Sequence, residues 1–149
     1  MFWRIYGRSI RKYTNRIAME VSLVSSFVFL TNVVHFLTAG YFAYAFLFLV
    51  LFMTSVMVRL IKDNIWTLVA DKMAILFVVL YGYMLFHNKS LTSDNYILIS
   101  LILFTFLAVG YLYTYGWLTN SYCFSEEGEL YRAGLHCISS LGHHLIVLM

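Results

Sequence analysis

Residues 41–60 read YFAYAFLFLVLFMTSVMVRL, an apolar run whose only charged residue, Arg59, lies next to its end. A helix rises about 1.5 Å per residue, so a run of this length crosses the roughly 30 Å hydrocarbon core of a bilayer. Further apolar runs occupy residues 18–37, 65–86, 94–117 and 131–149. The sequence therefore predicts an all-α fold, an integral membrane bundle of about five transmembrane helices.

The composition also favours a membrane protein. The chain has 149 residues, of which 62% are hydrophobic and 11% are charged, and it contains no proline. A soluble domain of this size would be about one quarter charged, so too few polar residues remain to cover the outside of a soluble bundle. The two cysteines, Cys123 and Cys137, have no CxxC spacing and indicate no disulfide framework.

Basic residues are concentrated on one predicted side of the membrane. Residues 1–17 form a basic juxtamembrane arm, and Arg59 and Lys62 follow the second helix on the same side, whereas Lys89 stands opposite. The positive-inside rule places the N-terminus inside, with residues 18–149 as the helical bundle. We expect phospholipid headgroups or a partner protein to hold the arm. A nucleic-acid partner is not expected, because the aromatic residues of the arm suit the membrane interface equally well.

Most charged residues within the predicted helices, together with Ser55 and His136, gather at one depth. Because the helix directions alternate, the same inner end receives Glu20, Ser55, Arg59, Asp71, Lys72, Arg132 and His136. Ionisable groups at membrane depth generally face the protein interior and pair, so we expect Asp71 to pair with Arg59 or Arg132. Two interpretations stay open from charge alone: a salt-bridge network that fixes helix register, or a functional site.

The last helix is expected to be central in the bundle. Its polar residues Arg132, His136, Ser139 and His143 are spaced by three or four, which places them on one stripe of the helix. Around this stripe the helix carries small residues, which let helix backbones approach closely in lipid.

These residues resemble the superfamily that contains alkaline ceramidases and progestin/adiponectin receptors, the CREST group. Its pattern consists of E-x-x-N-x-x-S, then S-x-x-x-H, then an aspartate, and finally H-x-x-x-H. The chain has Glu20 and Ser26 with Leu23 at the asparagine position, and the stretch SVMVRLIKDNIWTLVADKMAILFVVLYGY (55–83) resembles the second and third elements. The last element is matched by RAGLHCISSLG, residues 132–142.

The resemblance implies a zinc-dependent lipid amide hydrolase, in which three histidines bind Zn²⁺. In this chain Arg59 and Arg132 stand where two of those histidines are expected, and only His136 remains. A guanidinium keeps its charge and has no lone pair for a metal, so no metal is expected. We predict a degenerate, non-catalytic site of Ser55, Arg59, Asp71, Arg132 and His136, in which the arginines replace the cation and donate to the carboxylate.

Four other histidines leave a further alternative open. His35, His87, His143 and His144 lie in the predicted outer half of the bundle. Two such imidazoles on different helices could hold a haem. The alternative is that these histidines bind no cofactor and simply lie at helix ends near the membrane interface or, for His143, in the polar stripe of the last helix.

The favoured function is that of a structural or accessory subunit of a larger membrane complex, with other membrane-protein subunits and phospholipids as partners and no cofactor. A mitochondrial respiratory or ATP synthase complex of the inner membrane fits the arginine-rich, acid-free N-terminus, and a viral or endomembrane assembly fits nearly as well. The alternatives are a zinc-dependent lipid amide hydrolase and a haem-binding electron-transfer subunit.

Overall fold

The computed structural model describes residue 21 and residues 23–61, 64–118 and 126–149, without the side chains of residues 117 and 126–130. Within these ranges helices are the only regular secondary structure, which confirms the predicted all-α class. The helices are α1 (Val28–Thr38), α2 (Phe42–Leu60), α3 (Ile65–Ser90), α4 (Tyr96–Leu118) and α5 (Glu126–Leu148). Helical residues 23–26 precede α1. The predicted basic arm, Glu20, Lys62 and Cys123 lie outside the described residues.

Three described helices are long and apolar enough to cross a membrane, over Phe42–Leu60, Ile65–Ser90 and Tyr96–Gly116. The apolar segment that contains α1, Leu23–Thr38, is shorter. The last helix, α5, has sufficient length at 23 residues, but Arg132 and three histidines interrupt its apolar character. Transmembrane character by length and composition therefore belongs to α2, α3 and α4.

Local sequence signals set the ends of the helices. The side chain of Asn64 caps α3 by accepting a 2.9 Å hydrogen bond from the backbone N–H two residues later. The side chain of Asn95 caps α4 by accepting a 3.1 Å hydrogen bond from the backbone N–H three residues later. Between α1 and α2, Gly40 has a φ of +83°, and the Tyr41 N–H donates to the Phe36 carbonyl at 2.8 Å. This is the hydrogen-bond pattern of a Schellman motif, in which glycine ends a helix.

The last helix occupies the middle of the bundle, as its small residues predicted. It packs against α1, α3 and α4, whereas α1 packs on α2 and α2 on α3. The ring of His143 in α5 also meets Tyr44 and Phe48 of α2, with ring centroids 5.7 and 5.1 Å apart. In the described part of the chain, α3 and α4 both lie on α5 and make little contact with each other.

Candidate functional site

A cavity of about 330 Å³ lies between α2, α3, α4 and α5 and is closed on one side by Phe29. Its polar lining consists of Ser55, Arg59, Asp71, Lys72, Arg132, His136, Ser139 and His143. The fold thus brings all five residues of the predicted degenerate site to one cavity. Their convergence follows from helix direction, because the end of α2 and the beginnings of α3 and α5 meet at the same end of the bundle.

The carboxylate of Asp71 is held by hydroxyl groups of α2. Ser55 Oγ donates to Asp71 Oδ1 at 2.9 Å, and Thr54 Oγ1 lies 3.5 Å from the same oxygen. Among the described residues, no ion pair joins Asp71 to Arg59 or Arg132. The predicted arginine–carboxylate fork is therefore replaced by hydroxyl donors, because the Arg59 side chain turns back along its own helix and donates to the Ser55 carbonyl.

His136 has a partner at each ring nitrogen. Its Nδ1 lies 2.9 Å from Ser25 Oγ, and its Nε2 lies 3.5 Å from Arg59 Nη2. A guanidinium can only donate, so Nε2 accepts and Nδ1 carries the proton that is donated to Ser25. This tautomer follows from the network of hydrogen bonds. The sequence pattern pointed to Ser26, and its neighbour Ser25 is the residue that reaches the imidazole.

The donor set of the cavity does not fit zinc. Zinc sites in proteins use three or four nitrogen, sulfur or carboxylate ligands. Over the described ranges, no three His, Cys, Asp or Glu side chains are grouped so that they could hold a metal ion. The cavity instead combines His136 and Asp71 with the cations Arg59, Lys72 and Arg132, and Arg59 lies against the nitrogen that a metal would need.

Two of the haem candidates contact each other directly. The Nδ1 atoms of His35 and His144 are 2.7 Å apart, and His144 Nε2 lies 3.0 Å from Thr31 Oγ1. The Thr31 hydroxyl donates to the Val28 carbonyl at 2.6 Å, so it accepts from His144, whose Nδ1 then accepts from His35. The axial ligands of one haem iron lie on opposite faces of the porphyrin, and two nitrogens joined by one hydrogen bond leave no space for it.

The other two haem candidates occupy unlike environments. His143 is buried, its Nδ1 is hydrogen-bonded to the Tyr44 hydroxyl, and its ring meets Phe106 edge-on at 5.3 Å. His87 is exposed at the end of α3 and stacks on Tyr83 with ring centroids 6.1 Å apart. Among the described residues, these four imidazoles therefore do not form one haem-binding site.

A buried amide that the sequence did not predict joins α1 to α5. Asn32 Nδ2 donates to the Ser140 carbonyl at 3.1 Å, and the Ser140 hydroxyl donates to Asn32 Oδ1. Both side chains are buried. The available signal was an uncharged polar residue within an apolar run, which in membrane helices commonly marks a contact with another helix.

Comparisons with known proteins do not add a family to this picture. The chain matches no protein-family model, no curated protein and no solved structure. The resemblance to ceramidase-type proteins accordingly rests on the short sequence motifs alone.

Proposed function

We propose that this protein is a non-catalytic integral membrane protein, a structural or accessory subunit of a larger membrane complex, built on a ceramidase-like scaffold. The observation that carries the proposal is the position of Arg59, whose Nη2 lies 3.5 Å from His136 Nε2. In a zinc hydrolase of this pattern, the lone pair of His136 Nε2 would face the metal. Here that lone pair faces the permanently charged guanidinium of Arg59. Arginines occupy the positions of the other two imidazoles of the family pattern.

In this proposal α1 and α5 cross the membrane together with α2, α3 and α4, giving five spans with the N-terminus inside. The contacts of α5 support this, because two of its polar side chains are directed at protein groups: His136 at Ser25 and Ser140 at Asn32. Polar residues at membrane depth are tolerated when they face the bundle interior and find partners. The acid-free basic arm over residues 1–17 favours the mitochondrial inner membrane as the location.

Restoring the missing ligands tests the loss of the metal. The full-length protein is purified in mild detergent, exposed to zinc and analysed for bound metal by mass spectrometry. We expect no stoichiometric zinc in the natural sequence and a gain of about one zinc per chain in the double variant Arg59→His/Arg132→His, which supplies three imidazoles. The matched control Lys89→His introduces a histidine at the other end of α3 and is expected to gain none.

Two results would count against the proposal. Stoichiometric zinc in the natural protein, lost in His136→Gln, would mean that the site is a working metal centre. Hydrolysis of a ceramide-like amide by the natural protein would have the same consequence, because the proposal excludes turnover.

A further inference from the structure

The cavity changes character along its length. Its lining runs from Arg59 to Phe48 along α2, from Leu68 past Asp71 and Lys72 to Val79 along α3, and from Arg132 to His143 along α5. Arg59 and Phe48 are eleven residues apart, which corresponds to about 16 Å along a helix. All three helices therefore place their charged residues at one end of the cavity, and α2 and α3 place apolar residues toward the middle of the bundle.

The charged end is cationic. Among the described residues, the lining contains three cations, Arg59, Lys72 and Arg132, and one carboxylate, Asp71. Three positive charges and one negative charge leave an excess of two. A guanidinium has five N–H donors, so an arginine that already contacts a protein acceptor still has donors for a ligand oxygen. The planar guanidinium fork matches phosphate oxygens in particular.

The cavity is open on the side where α3 and α4 face each other. In the described structure α3 and α4 make little contact with each other, and Val79 and Val109 line the cavity from these two helices. Near the charged end, Lys72 Nζ lies 5.7 Å from the centre of the Tyr113 ring and bridges them. Val79 is 43% exposed and Val109 is half-buried, so apolar side chains border the gap, and in the proposed topology the gap opens toward bilayer lipid.

We infer that the cavity binds a single-chain phospholipid with a phosphate monoester head, which enters from the bilayer between α3 and α4. The phosphate lies against Arg59, Lys72 and Arg132, and the acyl chain follows the apolar lining toward Phe48. A phosphate monoester carries about −1.5 to −2 charges at neutral pH, which complements a lining whose described residues include more cations than carboxylates. The volume of about 330 Å³ is near the lower end of ligand pockets, about 300–1,000 Å³, and admits one chain rather than two.

This inference rests on the metal-free cavity of the proposed function and is independent of any complex. Binding is measured on the full-length protein in phosphatidylcholine nanodiscs, with radiolabelled lysophosphatidic acid as the probe. The competitors are a fatty acid and a lysophosphatidylcholine with the same acyl chain, together with inorganic phosphate. We expect unlabelled lysophosphatidic acid to displace the radiolabelled probe at a concentration about tenfold lower than the fatty acid or lysophosphatidylcholine requires. The reason is that, of the three lipids, only lysophosphatidic acid has a head group that offers two negative charges to the cations.

Each competitor tests one part of the inferred ligand. Equal competition by the fatty acid would overturn the phosphate head, and equal competition by lysophosphatidylcholine would overturn the role of charge. Competition by inorganic phosphate as strong as that by the lipid would overturn the role of the acyl chain. The absence of saturable lysophosphatidic acid binding would overturn the whole inference while leaving the zinc experiment, and with it the proposed function, intact.

Variants connect the binding to the cavity. Lys72→Gln and Arg132→Gln are each expected to weaken lysophosphatidic acid binding about tenfold through the loss of one charge-assisted contact. The side chain of Lys72 is exposed, so the first variant keeps the experiment informative if the second fails to fold. Lys89→Gln removes the same charge from the opposite end of α3 and is expected to bind as the natural protein does. Equal weakening in Lys72→Gln and Lys89→Gln would mean that general surface charge, not the cavity, attracts the lipid.

Discussion

Buried polar side chains hold α1 against α5, and Asn32 is the most enclosed of them. It has 0% exposure and makes two hydrogen bonds with Ser140. We predict that Asn32→Leu lowers the free energy of unfolding by about 1–3 kcal/mol, because the Ser140 hydroxyl and carbonyl lose their partner in a buried site. Thermal unfolding in detergent measures the change.

The control for this prediction is Asn88→Leu, which makes the same substitution at an exposed position at the end of α3. It is expected to leave the unfolding temperature unchanged. Equal stability of the two variants would show that the contact between α1 and α5 does not depend on the amide.

Individual residue contacts were the least predictable part of the site. Spacing placed Ser55, Arg59 and Asp71 at one end of the bundle, because that follows from helix direction alone. It did not show that the Asp71 carboxylate accepts from Ser55 and Thr54 rather than from an arginine, since that choice depends on side-chain rotamers. The contact between His35 and His144 was likewise hidden, because it depends on the register between α1 and α5.

Among the helices, α4 is attached to the bundle mainly through α5. A Cβ atom on Gly142 would lie 2.5 Å from Thr105 Oγ1, and the Thr105 hydroxyl is fixed by a 2.7 Å hydrogen bond to the Ile102 carbonyl. We predict that Gly142→Ala separates α4 from α5 and destabilises the protein by about 1–3 kcal/mol, the usual cost of overpacking. Thermal unfolding together with amide hydrogen exchange in α4 measures the effect.

The matched control lies in the same helix. A Cβ atom on Gly134 meets nothing within 4 Å, so Gly134→Ala is expected to keep or slightly raise stability through its better helix propensity. If both alanine variants behaved alike, the close approach of α4 and α5 at Gly142 would not matter for stability. Small residues in α5 predicted such a close approach, but the sequence did not specify which of them meets α4.

The whole molecule presents a broad apolar surface on α4, and the proposed assembly gives that surface a partner. Leu107 is 72% exposed, whereas Ile102 on the same helix is 0% exposed. We predict that a photo-crosslinking amino acid at position 107, introduced in the native membrane, captures one or a few defined protein subunits. The same amino acid at position 102 is expected to give only intramolecular products, and gel electrophoresis with mass spectrometry identifies both.

Cross-links from position 107 to lipid alone would contradict membership of a complex through this face. At this scale the sequence predicted the helical class and the bounds of α2 and α4 to within two residues, because length and apolarity determine them, whereas α5 begins at Glu126, before the apolar run that starts at residue 131. The partners of the bundle are not encoded in that pattern, since an apolar face that meets lipid and one that meets another protein have similar compositions in membranes.

The central position of α5 has a consequence for biosynthesis, because this helix leaves the ribosome after the other four. Its residues supply partners for Ser25, Asn32 and His35 of the first helical segment and for Tyr44 of α2. Translation of residues 119–148 takes about 1.5–6 seconds at roughly 5–20 residues per second. In the proposed five-span topology, the insertion machinery has to shelter those groups from the acyl chains during that interval, and a nascent chain that stalls before α5 would lack the partners that α5 supplies.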